Sequence, residues 1–291
     1  TLSVDNIYFW RDATTQPPTL GAFTVAAQLI GAAPFELTAP TSNSAGAFTY
    51  TVTGAPGVAT ISGDMVTIVG GGSTIITATQ AAAGAFGPGS ITASFVVSFP
   101  PPATAAPTPT VPADRVLSIF SDAYTNEGGA SYPYWGQPGG YIAPAVIPVG
   151  SPSSNTLKVD NLTYQGVQLA GTIDVSSMTT LHLDIWTPNC TTFDFYLIDS
   201  APVGVPPVEQ AVSISPTQNG WNSIDIPMSS YNALALTGVQ QFKFVGLPSG
   251  SVVYLDNIYF WKNPVAAGSN ADLSDLKVDG TTVAGFGPAT L

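Results

Sequence analysis

Apolar and polar residues alternate with period two along most of the chain, the pattern of strands that bury one face and solvate the other. Between residues 91 and 99 the odd positions Ile91, Ala93, Phe95, Val97 and Phe99 share a face, and in 48–53 aromatic and apolar residues alternate with threonine. Glycines at 54–57, 63, 70–72 and 84–89 punctuate these runs and mark turns. Further along, Leu181, Leu183 and Ile185 oppose His182, Asp184 and Trp186, while Phe193, Phe195 and Leu197 oppose Asp194 and Tyr196. Strands are expected at 115–120, 155–159, 166–169, 180–187, 192–199, 210–214, 221–226, 241–245 and 252–261. The last of these is apolar on both faces except at Asp256 and Asn257, which predicts a well-covered strand with a purposeful polar interruption.

Composition turns these strands into domains. With 29 Gly, 26 Pro and 8% charged residues among 291, the chain suits short twisted strands and many turns, and its length suits two β-sandwiches. The predicted fold class is all-β, with one sandwich at 19–99 and a jelly roll at 114–263. Between them, PPPATAAPTPTVPA at 100–113 holds six prolines among small residues. That segment is expected near polyproline II as a semi-stiff spacer reaching about 40 Å at full extension. Eighteen acidic against six basic residues give a net charge of −12, which argues against nucleic acid and anionic membrane as partners. No apolar run long enough to span a bilayer is present, so no membrane insertion is expected. The single cysteine, Cys190, is expected to be a small buried hydrophobe.

The octapeptide VDNIYFWR at 4–11 returns as LDNIYFWK at 255–262, which makes Asp5 and Asp256 equivalent positions. A self-match at that separation marks a repeated multi-domain unit. Residues 1–12 then read as the closing strand of a preceding jelly roll, and the chain as part of a modular array in which other copies of the chain are partners.

Three resemblances sharpen these expectations. The runs PFELTAPTSNSAGAFTYT at 34–51 and VATISGDMVTIVGGGSTIITATQAA at 58–82 resemble the bacterial immunoglobulin-like repeats of large secreted and cell-surface proteins. That resemblance implies a non-catalytic spacer, and within 19–99 there is no His or Cys and little charge beyond Glu36 and Asp64. VLSIFSDAYTN, LKVDNLTYQGVQLA, MTTLHLDIWTPNCTTFDFYLID, GWNSIDIP and YLDNIYFWK, all within 116–262, resemble carbohydrate-binding-module-like, galactose-binding-like jelly rolls. ADLSDLKVDGTTVAGFGPATL, ending in a turn at Phe286, Pro288 and Thr290, resembles the opening of a cadherin-like β-sandwich repeat over 270–291.

Two features of the second domain carry candidate chemistry. The jelly-roll resemblance implies a structural calcium ion between first and last strands, with Asp256 as a ligand, and Asp122 of SDAYTN is the candidate partner from the first strand; the alternative is that Asp256 caps backbone amides at a bulge. Tyr132, Tyr134, Trp135 and Tyr141 cluster in a Gly- and Pro-rich loop, where exposed rings would stack on a carbohydrate. The rival expectation is that Trp135 folds back onto the sandwich. Trp186 and Trp221 follow the strand alternation as packing residues. Catalysis is not expected: His182 is the only histidine, no nucleophile motif accompanies it, and no cleft-forming insertion accompanies Asp184 and Asp194. The chain is expected to be an extracellular, non-catalytic segment of a large bacterial surface or filament protein. The alternative is a carbohydrate-binding region of a secreted polysaccharide-degrading enzyme.

Overall fold

The computed structural model describes residues 2–6, 8, 15–55, 57–127, 129–138, 140–200 and 206–263, with the backbone of 277–278 and 281–282. The chain divides into two compact units, Thr1–Pro100 and Pro101–Leu291. Two short 3-10 turns aside, Ala113–Arg115 and Met228–Ser230, the regular structure among the described residues is all β.

In the first unit, β1 (Gln28–Leu29), β2 (Phe35–Glu36), β3 (Phe48–Val52), β4 (Ala59–Ser62), β5 (Met65–Ile68), β6 (Gly72–Gln80) and β7 (Gly89–Ser98) form sheets ordered β1-β7-β6-β3 and β2-β5-β4. Period-two alternation sends Ile76, Ala78, Ala93, Phe95 and Val97 inward to meet Ala59 and Val66 of the other sheet and Val58 just before it. The opposite faces of β3, β6 and β7 carry the threonines and serines predicted to be solvated. This is a β-sandwich with its own core.

The second unit holds β8 (Val116–Phe120), β9 (Ala145–Val149), β10 (Ser154–Leu162), β11 (Tyr164–Ile173), β12 (Thr180–Trp186), β13 (Thr192–Asp199), β14 (Val208–Ile214), β15 (Trp221–Pro227), β16 (Val239–Leu247) and β17 (Ser251–Trp261). One sheet runs β15-β12-β17-β10-β9, with β8 also paired to β17; the other runs β11-β16-β13-β14. Leu181, Leu183, Ile185, Leu255 and Phe260 of the first face Phe193, Phe195, Leu197, Phe242 and Phe244 of the second across a single core. Cys190 is fully buried in it. β9 is absent from the sequence expectation because Pro148 argues against a strand; as an edge strand it needs no hydrogen-bond donor on its outer side.

Residues 101–112 correct the spacer expectation. They run against the second sandwich, with Pro102 buried, and side chains of that sandwich bond to the carbonyls of Thr104, Pro107 and Val111. The predicted turn at Phe286, Pro288 and Thr290 lies outside the described residues, as do Ile7, Phe9 and Trp10 of the first repeat. Within 270–291 a short hairpin is described, β18 (Lys277–Val278) against β19 (Thr281–Thr282).

Candidate functional site

The outer face of the four-stranded sheet is built by residues that alternate with its core phenylalanines. Register places Gly166, Lys243, Tyr196 and Ala211 in one cross-strand row, and Gln168, Gln241, Ile198 and Glu209 in the next. Over the β11 edge lies the aromatic loop. Its Trp135 indole rests on Gly166 so closely that a Cβ there would sit 2.2 Å from a ring carbon. The loop is held at several points. Tyr164 donates its hydroxyl to the Trp135 carbonyl at 2.8 Å, the Gln137 side chain accepts from the Trp135 amide at 2.7 Å, and Gln165 reaches the Pro133 carbonyl.

The result is a groove of about 400 Å³ lined by Trp135, Tyr164, Ile198, Pro207, Glu209, Gln241 and Lys243. Lys243 bonds both Glu209 carboxylate oxygens at 2.7 Å and stands 4.0 Å from the Tyr196 ring centroid. Its charge is thereby balanced within the face. Gln241 donates to the side chain of Gln168, fixing the orientation of both amides. Such a groove offers aromatic surface, oriented amides and a compensated ion pair, which suits a ligand rich in hydroxyls and C–H faces.

The four predicted aromatic residues do not act alike. Trp135 is half-buried, one face on the sandwich, and lines the groove. Tyr132 turns inward against the main core, and burial pushes its phenol up to about 12. Tyr141 donates to the Tyr132 carbonyl at 2.7 Å, and its ring lies 5.2 Å from that of the exposed Tyr134. Sequence reasoning missed Tyr164, Tyr196, Glu209, Gln241 and Lys243 as parts of this face. The outward alternation of Tyr196 was legible, but Tyr164 and Glu209 fell outside the expected strands, and nothing in linear order joins strands near 196 and 243 to a loop at 135.

Asp122 and Asp256 meet on the other sheet. β17 pairs with β10 through Leu255 and with β8 from Ile258 onward, and Asp256–Asn257 sits where the partner changes. Asn257 takes φ 51°, breaking the register, and the freed polar groups are satisfied locally. Asp256 accepts its neighbour's amide, Asn257 N, at 2.7 Å and the Ser154 hydroxyl at 2.9 Å. Asp122 accepts from the Asn155 amide and carboxamide at 2.7 and 3.0 Å, and from Ser154 at 3.4 Å. Burial first, then the charges of Asp122 and Asp184, push the Asp256 carboxyl up to about 6 despite the hydrogen bonds that oppose the shift. Among the described residues no group of three or more His, Cys, Asp or Glu is placed to hold a metal ion. Ser154 links the two carboxylates, and the amide that Asp256 accepts at the bulge is that of Asn257.

His182 lies on the same outer face, its side chain 14% exposed and its ring stacked 4.7 Å from that of Tyr259. Its Nδ1 is 2.8 Å from Asp225, and its Nε2 is 3.6 Å from Asp184. Asp184 and Asp194 occupy opposite sheets, so they form no carboxylate pair. Trp186 packs with Val149 and Tyr254, and the half-buried Trp221 joins them.

No protein-family model and no curated protein matches the sequence. Solved structures of carbohydrate-binding modules are similar to part of it. The family 11 module of a cellulosomal cellulase of Clostridium thermocellum shares 18% identity over 51% of this chain and 95% of its own, at TM-score 0.39. The family 11 module from Clostridium thermocellum in complex with a β-1,3-1,4-mixed-linked tetrasaccharide gives 18% over 51% and 95%, at 0.37. The family 30 module of another cellulosomal cellulase from that organism gives 13% over 52% and 99%, at 0.39. At such identities and scores, the chemistry of the groove rests on its own residues.

Proposed function

We propose that this chain is a non-catalytic carbohydrate-binding segment of a secreted protein, and that the groove under Trp135 receives a neutral polysaccharide. The observation that carries this reading is the juxtaposition of Trp135, Tyr164, Gln241 and the Lys243–Glu209 pair around one open groove. An acidic glycan is disfavoured because Lys243 is already neutralised and the chain carries a net charge of −12. The internal repeat of VDNIYFWR supports the additional reading that the segment belongs to a modular surface array in which binding provides attachment.

Affinity electrophoresis in gels containing neutral or acidic polysaccharides tests the proposal. Retardation is expected in at least one neutral gel, with Trp135→Ala and Tyr196→Ala each weakening it about tenfold, a loss of about 1.4 kcal/mol. Retardation of both variants equal to that of the natural chain would overturn the assignment of the groove.

A further inference from the structure

The outer face of the sheet that contains β12, β15 and β17 is already occupied, by the chain's own proline-rich segment. Three side chains of the sandwich donate to its carbonyls: Trp221 Nε1 to Thr104 at 2.9 Å, Asn257 Nδ2 to Pro107 at 2.9 Å, and Tyr124 Oη to Val111 at 2.7 Å. The carbonyls of Thr104 and Pro107, three residues apart, both accept from side chains of the sheet. Every anchor is a donor on the sandwich, from β15, β17 and the bend after β8, and an acceptor on the segment. That polarity fits a proline-rich strand, which keeps its carbonyls while losing amides at Pro107 and Pro109.

The seat is shaped as well as polar. Gly150, at φ 81°, approaches so closely that a Cβ there would lie 2.0 Å from the Ala105 nitrogen. The Asn257 carboxamide is aimed from behind, accepting from Ser121 at 2.7 Å and donating to Asp184 at 2.7 Å. Past Pro107 the segment does not close onto the sheet. It borders a cavity of about 220 Å³ lined also by His182, Asp184, Ser223, Asp225, Tyr259 and Trp261. The Trp261 indole nitrogen is buried without a hydrogen-bond partner. Thr104, Pro107, Thr108 and Thr110 are exposed, so the segment is held by anchors and not by core burial.

We propose that this face is a receptor groove for a proline-rich extended segment, filled in cis by residues 104–111 and able to take the same segment from a second copy of the chain. Lifting the segment removes few apolar contacts, so exchange leaves the sandwich folded. Cis occupancy wins at ordinary concentrations because the tether gives the segment a high effective concentration. This inference is independent of the glycan groove, which lies on the other sheet.

The test uses the full chain with residues 104–111 replaced by Gly and Ser at equal length, titrated with a synthetic peptide of residues 101–113 and followed by Trp fluorescence. Saturable binding is expected in the replaced chain, at least a hundredfold tighter than any binding to the natural chain. Adding Trp221→Phe and Tyr124→Phe, which remove donors while keeping rings, should weaken it at least tenfold. Absence of saturable binding in the replaced chain, with the thermal transition of its second sandwich retained, would overturn the proposal, as would binding indifferent to the two donors.

Discussion

At the scale of single residues, contact distance and proton affinity give the sharpest consequences. Gly166 has no room for a side chain because the Trp135 indole lies on it. Gly166→Ala should therefore lift the ring, cost about 1–3 kcal/mol of stability in chemical denaturation, and shift Trp emission to longer wavelength. An unchanged spectrum would mean that the indole does not rest there. His182 carries a pH dependence with a definite sign. Burial lowers its proton affinity, but the hydrogen bonds and charges of Asp184 and Asp225 outweigh burial and raise its pKa above the ordinary 6.5. A group bound more tightly to its proton in the folded state contributes stability that is fully present below pH 6.5 and lost as pH rises through the folded pKa. The second sandwich is thus expected to melt higher at pH 6 than at pH 8.5, and His182→Phe should remove that part of the difference. Of the site, Trp135 was legible as an aromatic in an unpatterned loop. Tyr132 was misplaced for a physical reason: composition marks a loop, but not which of its rings turns inward.

At the scale of elements, the change of partner along β17 explains a motif that the sequence could only flag. Asn257 combines a left-handed backbone with a carboxamide bonded to Ser121, Asp184 and Pro107. Asn257→Gly keeps the backbone and loses the bonds, so a loss of about 1–3 kcal/mol is expected. Asn257→Asp sets a further carboxylate against Asp184 and should cost more at pH 8 than at pH 5; equal loss at both would contradict this geometry. The junction also bears on calcium. Without an ion, the raised Asp256 pKa of about 6 means that stability is lost as pH climbs from near 4 through 6. An ion held by Asp122 and Asp256 would reverse that sign and make the melting temperature of the second sandwich fall in chelator. Both measurements, made with and without calcium, decide between the ion and bulge capping. Strand positions were largely readable from alternation because one-sided burial imposes period two. β9 was hidden by Pro148, and the docking of residues 104–111 by the fact that two of its anchors, Trp221 and Asn257, come from distant parts of the chain.

At the scale of the whole molecule, the two units have separate cores, and the described residues of the first repeat belong to neither core. Leu2, Val4 and Tyr8 are 92%, 61% and 72% exposed, whereas the matching Val253, Leu255 and Tyr259 are buried within β17. Asn6 takes φ 55° where Asn257 takes 51°, so the repeated Asp-Asn step has the same left-handed form in both places. We propose that the exposed Leu2, Val4 and Tyr8 are buried where a second sandwich can receive them, since apolar side chains gain from burial. The partner proposed for it is another copy of the chain in an extended assembly. Sedimentation should then show self-association that grows with protein concentration, and removal of residues 1–11 should abolish it while leaving both thermal transitions in place. Val4→Asp with Tyr8→Asp should act like the deletion, because charge at those positions opposes burial without shortening the chain. Monomeric sedimentation of the natural chain across the concentration range would exclude the assembly, whereas self-association that survives both changes would move the contact elsewhere, with the groove over β12, β15 and β17 the next surface to test by Trp221→Phe.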